Sequence, residues 1–286
     1  MTTPARDLHE DNRKAWNEAT KAHNSHKGDQ ARFLREGGST LFPEEVELLG
    51  DLAGKWLLHL QCNAGQDTLS LAKLGALCTG VDISDEAIAF AQQLSSDAAI
   101  PATFVRADVY DYLGEAVARG DQFDRVFSSY GTVCWLSDIT SWARGIACLL
   151  APAGRFVLID FHPFANMFNE KLELDWPYFS GGAPLGGEGV GDYVAYAKDG
   201  LVPWGYEEGV TGFRNPHAGH EFAWGIADVV TALLGAGLRL ESLREYPYAN
   251  GCPRFDGQVE GEGRRFYMPP GVPAMPLMYA VVAAMG

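Results

Sequence analysis

Two short apolar runs, each ending where small or acidic residues begin, constrain this chain more than any other feature. The first is Trp56–Asp67, WLLHLQCNAGQD, where the run stops at a turn of small residues and a helical pattern, DTLSLAKLGA, opens at once. The second closes on GVDIS at residues 80–84, with Asp82 at its tip. In an open parallel α/β sheet such a pair holds a nucleoside. The turn lets backbone N–H groups approach the ligand, and the acid accepts from both ribose hydroxyls. Only one glycine, Gly65, stands in the turn, where a dinucleotide fingerprint carries three to admit a pyrophosphate. No Lys-Ser/Thr pair follows for a P-loop. The pattern suits a nucleoside cofactor without phosphates.

The remaining chain supplies a sheet around that pair. Helices are expected over Asp11–His26, Glu44–Leu52, Asp67–Leu74 and from Asp85, where Ser84 stands at an N-cap before two acids. Strands are expected over Trp56–Cys62, Cys78–Ile83, Ala102–Ala107, Phe123–Ser129 and Gly154–Phe161, with a helix after Asp138. From His162 to about Glu221 regularity fails, and Gly, Pro and aromatics dominate. A stretch of that length is uncommon in a compact domain unless it is functional or has structure of its own. The pattern returns as a helix over Ala223–Ala236 and two runs, Leu238–Tyr248 and Leu277–Ala284, that read as an antiparallel pair. Strands alternating with helices at this spacing make a doubly wound α/β fold.

The ordered segments LLHLQCNAGQD, GVDIS, FVRADVYDY, FDRVFSSYG and GRFVLIDF resemble the strand-by-strand signature of class I S-adenosylmethionine (SAM)-dependent methyltransferases. The resemblance covers roughly residues 53–164, and Gly225–Met285 fits the closing elements. It implies a mostly parallel seven-stranded sheet, with an N-terminal helical lid over 1–52 and a SAM-binding core over 53–164. An insertion after strand five, 165–222, would cover the acceptor, and 223–286 would complete the core. Where the usual first motif carries an acid and a middle glycine, this chain has His59, Gln61 and Asn63. In that it is similar to bacterial small-molecule, natural-product methyltransferases whose turn reads LQC-x-x-G-x-D. The methionine ammonium would then fall to Asp67 and the Gln61 side chain.

The resemblance also assigns roles by position. Gln61, Asn63, Gly65, Gln66 and Asp67 form the first turn against the cofactor, and Asp82 with Ile83 takes the ribose. Asp108 accepts from the adenine amino group, while the Val109 N–H reaches a ring nitrogen. Ser128 lies under the sulfonium. Tyr130 and His162 are the candidate catalytic residues, the histidine because imidazole titrates near neutrality. Trp16, His23, Trp176, Tyr178, His217 and Trp224 are the candidate acceptor contacts. Structural readings stand beside these: Asp82 as a helix cap, Asp108 as a turn former, Tyr130 as a core tyrosine, His23 as structural.

Charge narrows the acceptor. With 22 Lys plus Arg against 37 Asp plus Glu, the formal net charge is −15, a field that repels nucleic acid. No basic cluster exceeds Arg264-Arg265. The acceptor is expected to be small, and neutral or cationic. No run is long and apolar enough to span a membrane, and the N-terminus lacks an apolar signal core, so a cytoplasmic protein is expected. Five cysteines without a C-x-x-C pair read as small buried hydrophobes. His217 and His220 lack a third and fourth ligand, so no metal is expected. The expected reaction is methyl transfer from SAM to a planar heteroaromatic such as an indole in secondary metabolism, on C or N rather than O. The alternatives are a non-aromatic small acceptor and a SAM-binding module without catalysis. A nicotinamide-dependent reductase lacks its three-glycine turn here. A monomer or homodimer is expected.

Overall fold

The computed structural model describes residues 3–286; Met1 and Thr2, the start of the expected lid, lie outside the described residues. Three helices lead in: α1 (Thr3–Ser25), α2 (Gln30–Arg35) and α3 (Pro43–Leu49). The alternating core follows as β1 (Trp56–Leu60), α4 (Gln66–Lys73), β2 (Leu77–Asp82), α5 (Asp85–Ala98), β3 (Thr103–Arg106), α6 (Val109–Arg119), β4 (Phe123–Ser129), α7 (Ile139–Leu149) and β5 (Leu150–Phe161). A stretch with little regular structure then carries β6 (Leu185–Glu188), α8 (Tyr193–Ala197) and β7 (Ala218–Glu221). The chain closes with α9 (Ile226–Gly235), β8 (Leu238–Tyr246), β9 (Tyr248–Asn250), β10 (Val259–Gly261), β11 (Arg265–Tyr267) and β12 (Met278–Met285).

Seven strands form the central sheet in the order β3-β2-β1-β4-β5-β12-β8. The first five are parallel, and β12 runs antiparallel between β5 and β8. The order reverses between β1 and β4, and in open sheets a ligand crevice opens at that switch point beyond the strands' carboxyl ends. Residues Leu57–Leu60 are fully buried, as parallel strands covered on both faces must be. One face packs on α6, α7 and α9 around Trp142; the other packs around Leu49, Leu71 and Phe127. Three helix starts are capped by acceptors the sequence supplies: Ser84 for α5, Asp108 for α6 and Asp138 for α7.

Several boundaries differ from expectation. The first helix begins eight residues earlier than Asp11, at Thr3, and α3 runs over Pro43–Leu49 rather than Glu44–Leu52. Helix α6 was not anticipated; Tyr112, Leu113 and Ala116 form its buried stripe. The irregular stretch contains an antiparallel pair, β6 with β7. β8 and β12 are neighbours but not a simple hairpin, because a three-stranded sheet, β10-β11-β9, is built into their connection.

Candidate functional site: a cavity over the switch point

Beyond Leu60 the backbone turns sharply. Gln61 and Asn63 take left-handed conformations, φ 55° and 49°, and Gly65 follows at φ 80°. Such strain in residues other than glycine concentrates at functional sites. A Cβ on Gly65 would sit 2.7 Å from Ala91 Cβ and 2.8 Å from the Phe104 ring, so the start of α4 can lie this close to α5 and β3 only with glycine. Asp82 ties the two turns together. One carboxylate oxygen accepts from the Asn63 N–H at 2.8 Å, the other from the Ser84 N–H at 2.9 Å. Burial pushes its carboxyl up to about 6. The Gln61 amide donates to the Thr132 carbonyl at 3.0 Å, which leaves its buried Oε1 without a partner among the described residues.

Asp108 caps α6 by accepting from the Tyr110 N–H at 2.9 Å, and its other oxygen lies 2.5 Å from His9 Nδ1. His9 stacks on Tyr110 and meets Ser137 Oγ at 2.9 Å. The adenine candidate and the first helix are therefore bonded to each other.

These residues open into one cavity of about 620 Å³, within the range of small-molecule sites. Gln61, Asn63, Gln66, Asp67, Asp82, Ile83, Asp108 and Val109 line it, as do Trp16, Tyr130, Trp176, Tyr178 and Trp224. Tyr130 is itself left-handed, φ 45°. The turn it begins is held from below by Asp160, whose buried carboxylate accepts from the backbone N–H groups of Gly131, Thr132 and Val133. The Tyr130 hydroxyl accepts from Asn250 Nδ2 at 3.0 Å, and burial pushes the phenol well above its ordinary value. It is a hydrogen-bonding group there, not a ready base.

The far wall is made of segments distant in sequence. Asn12 and the His220 backbone bond reciprocally, side-chain amide to carbonyl at 2.9 Å and N–H to amide oxygen at 2.7 Å. Asn215 donates to the Ala15 and Val190 carbonyls, and Trp204 Nε1 donates to the Lys27 carbonyl at 2.8 Å. α1 and the stretch between β5 and α9 thus form one roof.

Six expectations need correcting, the first being Gly65, which packs the turn but is not a lining residue. Ser129, not Ser128, lines the cavity; successive strand residues face opposite ways, and Ser128 is fully buried. His162 does not line it. Its Nδ1 accepts from the Phe164 N–H at 3.0 Å and its Nε2 lies 2.9 Å from Glu245 on the edge strand β8. His23 is buried behind the wall, Nε2 at 2.9 Å from the Gly191 carbonyl and its ring against Tyr193; burial lowers it to about 4. His217 is likewise not a lining residue. Cys148, expected inside, is exposed. Among the described residues no group of three or more metal-ligating side chains exists, and His220 instead meets Asp11 at 3.3 Å.

Sequence reasoning missed His9, Lys27, Asp160, Glu221 and Arg254. All five line the cavity. Burial lowers the Lys27 ammonium to about 8, with Asp67 and Asp192 opposing the shift. No local motif marks these residues. Only the apolar run ending in Asp160 carried a signal, an acid at a strand end like that at Asp82.

Residues 58–158 match the family model described as a methyltransferase domain. The inferred methyltransferase YqeM of Bacillus subtilis (strain 168) is 28% identical over 143 residues, 45% of this chain and 56% of the relative. The uncharacterized methyltransferase sll0829 of Synechocystis sp. is 32% identical over 151 residues, 50% of this chain and 62% of the relative. The chain thus spans 56% to 62% of the length of these curated relatives. Among solved structures, the CcbJ methyltransferase of Streptomyces caelestis superposes with a TM-score of 0.58 at 15% identity, over 96% of this chain and 99% of that one. The glycopeptide N-methyltransferase MtfA complexed with SAM does so with a TM-score of 0.51 at 17% identity, over 85% and 92%.

Proposed function

We propose that this chain, whose residues 58–158 match a methyltransferase domain, is a class I SAM-dependent methyltransferase that transfers the methyl group of SAM to a small molecule held beneath the roof. The observation that carries the reading is Asp82, an acid at the tip of β2 that faces the cavity at the switch point while its own turn is pinned by backbone N–H groups. In this reading Asp82 accepts from the two ribose hydroxyls, and Asp108 and Val109 meet the adenine. The methionine end runs along Gln61, Asp67 and Lys27. The unpartnered Gln61 Oε1 accepts from the ammonium, and Lys27 is the cation for the carboxylate.

The sulfonium carries an activated methyl, and transfer is an in-line displacement onto a nucleophile. The protein's share is alignment and exclusion of water, and orientation alone contributes several kcal/mol. Tyr130 and Asp160 shape the wall where the methyl would point. Trp16, Trp176, Tyr178 and Trp224 give aromatic faces that suit a planar or cationic acceptor, such as an indole or another heteroaromatic of secondary metabolism. The net charge of −15 argues against nucleic acid, and the five free cysteines fit a reducing compartment such as the cytoplasm. Residues 165–222 with the N-terminal helices act as the acceptor's cover. The chain, SAM and a metabolite panel, read by mass for a gain of one methyl, test the reading. SAM binding without product from any member would favour a SAM-binding module instead.

A further inference from the structure

At the acceptor end two opposite charges line the same cavity, and neither has an ion-pair partner among the described residues. Arg254, in the connection after β9, lines the cavity with its guanidinium 4.9 Å over the Phe161 ring. One terminal nitrogen donates to Asn166 Oδ1 at 2.7 Å, while Nε is buried and has no partner among the described residues. Glu221 ends β7 and lines the same cavity. Its carboxylate makes no hydrogen bond or ion pair among the described residues. The two sense one another, since the arginine partly offsets the effect of burial on the acid, yet they form no salt bridge. A half-buried arginine left unpaired in an enclosed site is costly unless something else completes it.

We infer that the acceptor is a zwitterion, an amine-bearing carboxylic acid whose carboxylate docks on Arg254 and whose nitrogen faces Glu221. The inference rests on the methyl-transfer reading and names its substrate class. A net neutral molecule of this kind is compatible with the acidic surface, and its side chain would lie along Trp176 and Tyr178. The step balances within the site. Glu221 takes a proton from the acceptor ammonium, and the freed nitrogen lone pair forms the N–C bond to the SAM methyl. The C–S bond breaks with its electrons kept by sulfur, leaving S-adenosylhomocysteine. Burial raises the Glu221 carboxyl, which brings its proton affinity closer to what such a transfer needs.

The test pairs each zwitterion with its carboxylate-free counterpart: L-tryptophan with tryptamine, L-tyrosine with tyramine, L-phenylalanine with phenethylamine. SAM affinity is measured first by calorimetry; if SAM fails to bind, the parent reading falls and this inference with it. With SAM bound, kcat/KM for at least one zwitterion should exceed that of its amine by about tenfold to a hundredfold, the range for one charge-assisted contact. Arg254→Gln should erase that preference through KM while SAM affinity and thermal midpoint stay put. Arg254→Lys should restore part of it, because the charge returns without the planar fork. Glu221→Gln should lower kcat more than it raises KM. Amines turned over as well as zwitterions would overturn the inference while leaving methyl transfer standing. So would a failure of every zwitterion to bind the S-adenosylhomocysteine-loaded protein, or a preference unchanged in Arg254→Gln.

Discussion

The two walls of the cavity are built in opposite ways. The wall at β1–β3 comes from consecutive strand ends, and the hydrogen bonds that set its turns span at most 19 residues: Asp82 reaches Asn63 and Ser84, and Asp108 caps the helix it begins. The roof is assembled from α1, the stretch after β5 and the β9–β11 sheet, with bonds such as Asn12 to His220 that span 208 residues. The first wall is shaped by left-handed turns at Gln61, Asn63 and Gly65; the roof is held by side-chain contacts between distant segments. A cofactor shared across a fold needs the first kind, fixed by few residues. An acceptor pocket that sets selectivity can be the second kind, free to change residue by residue.

If that contrast holds, the largest effect of a single change should fall on the turn wall. Asp82→Ala removes two charge-assisted hydrogen bonds, together about 3 kcal/mol or more, so SAM affinity should drop at least about a hundredfold in calorimetry. An unchanged affinity would break the comparison at its firmest point. Asn12→Ala should loosen the roof by about 1–2 kcal/mol, about five- to thirtyfold in its docking equilibrium. The readout is hydrogen exchange: faster at residues 218–221 and in α1, and unchanged in β1–β3. Equal acceleration in β1 would show the walls to be one unit.

Acidity separates the walls more gently. Burial holds the Asp82 carboxyl at about 6, and on the proposed reading the ribose hydroxyls donate to its ionised form, so SAM binding should lower that value. SAM affinity should therefore be full above about pH 6 and weaken as pH falls through that value, approaching tenfold per unit. Asp82→Asn should remove that step; a step that persists assigns it to another group. The smallest effect belongs to His217, which touches neither wall's interior. His217→Ala should change stability by less than about 0.5 kcal/mol and alter neither SAM affinity nor acceptor KM.

The same contrast explains what could be read in advance. Apolar runs of strand length, broken by Gly65 and closed by Asp82, are local signals, and they led to the parallel sheet and to the turn residues that line the cavity. The single-residue slip from Ser129 to Ser128 shows the limit even there, because a strand's two faces differ by one position. His162 looked well placed by strand position alone, but Glu245, 83 residues away, holds its ring. Nothing in the composition of residues 165–222 announces that Asn215 will reach Ala15 or that Trp204 will reach Lys27. Glu221 and Arg254 have no motif at all; their meaning comes from lining one cavity.

The Asn12–His220 pair also sets a timetable. At typical synthesis rates of about 5–20 residues per second, the first helix leaves the ribosome about 10–40 seconds before the strand it must clasp exists. The β1–β5 nucleus can form in that interval, since its contacts close short loops, whereas the roof waits for a loop of some two hundred residues to shut. For that time α1, with Trp16 uncovered, is a loose amphipathic segment attached to a half-built sheet. The nascent chain is therefore most exposed to proteases and chaperones at α1, and the roof is the last part of the cavity to come into being.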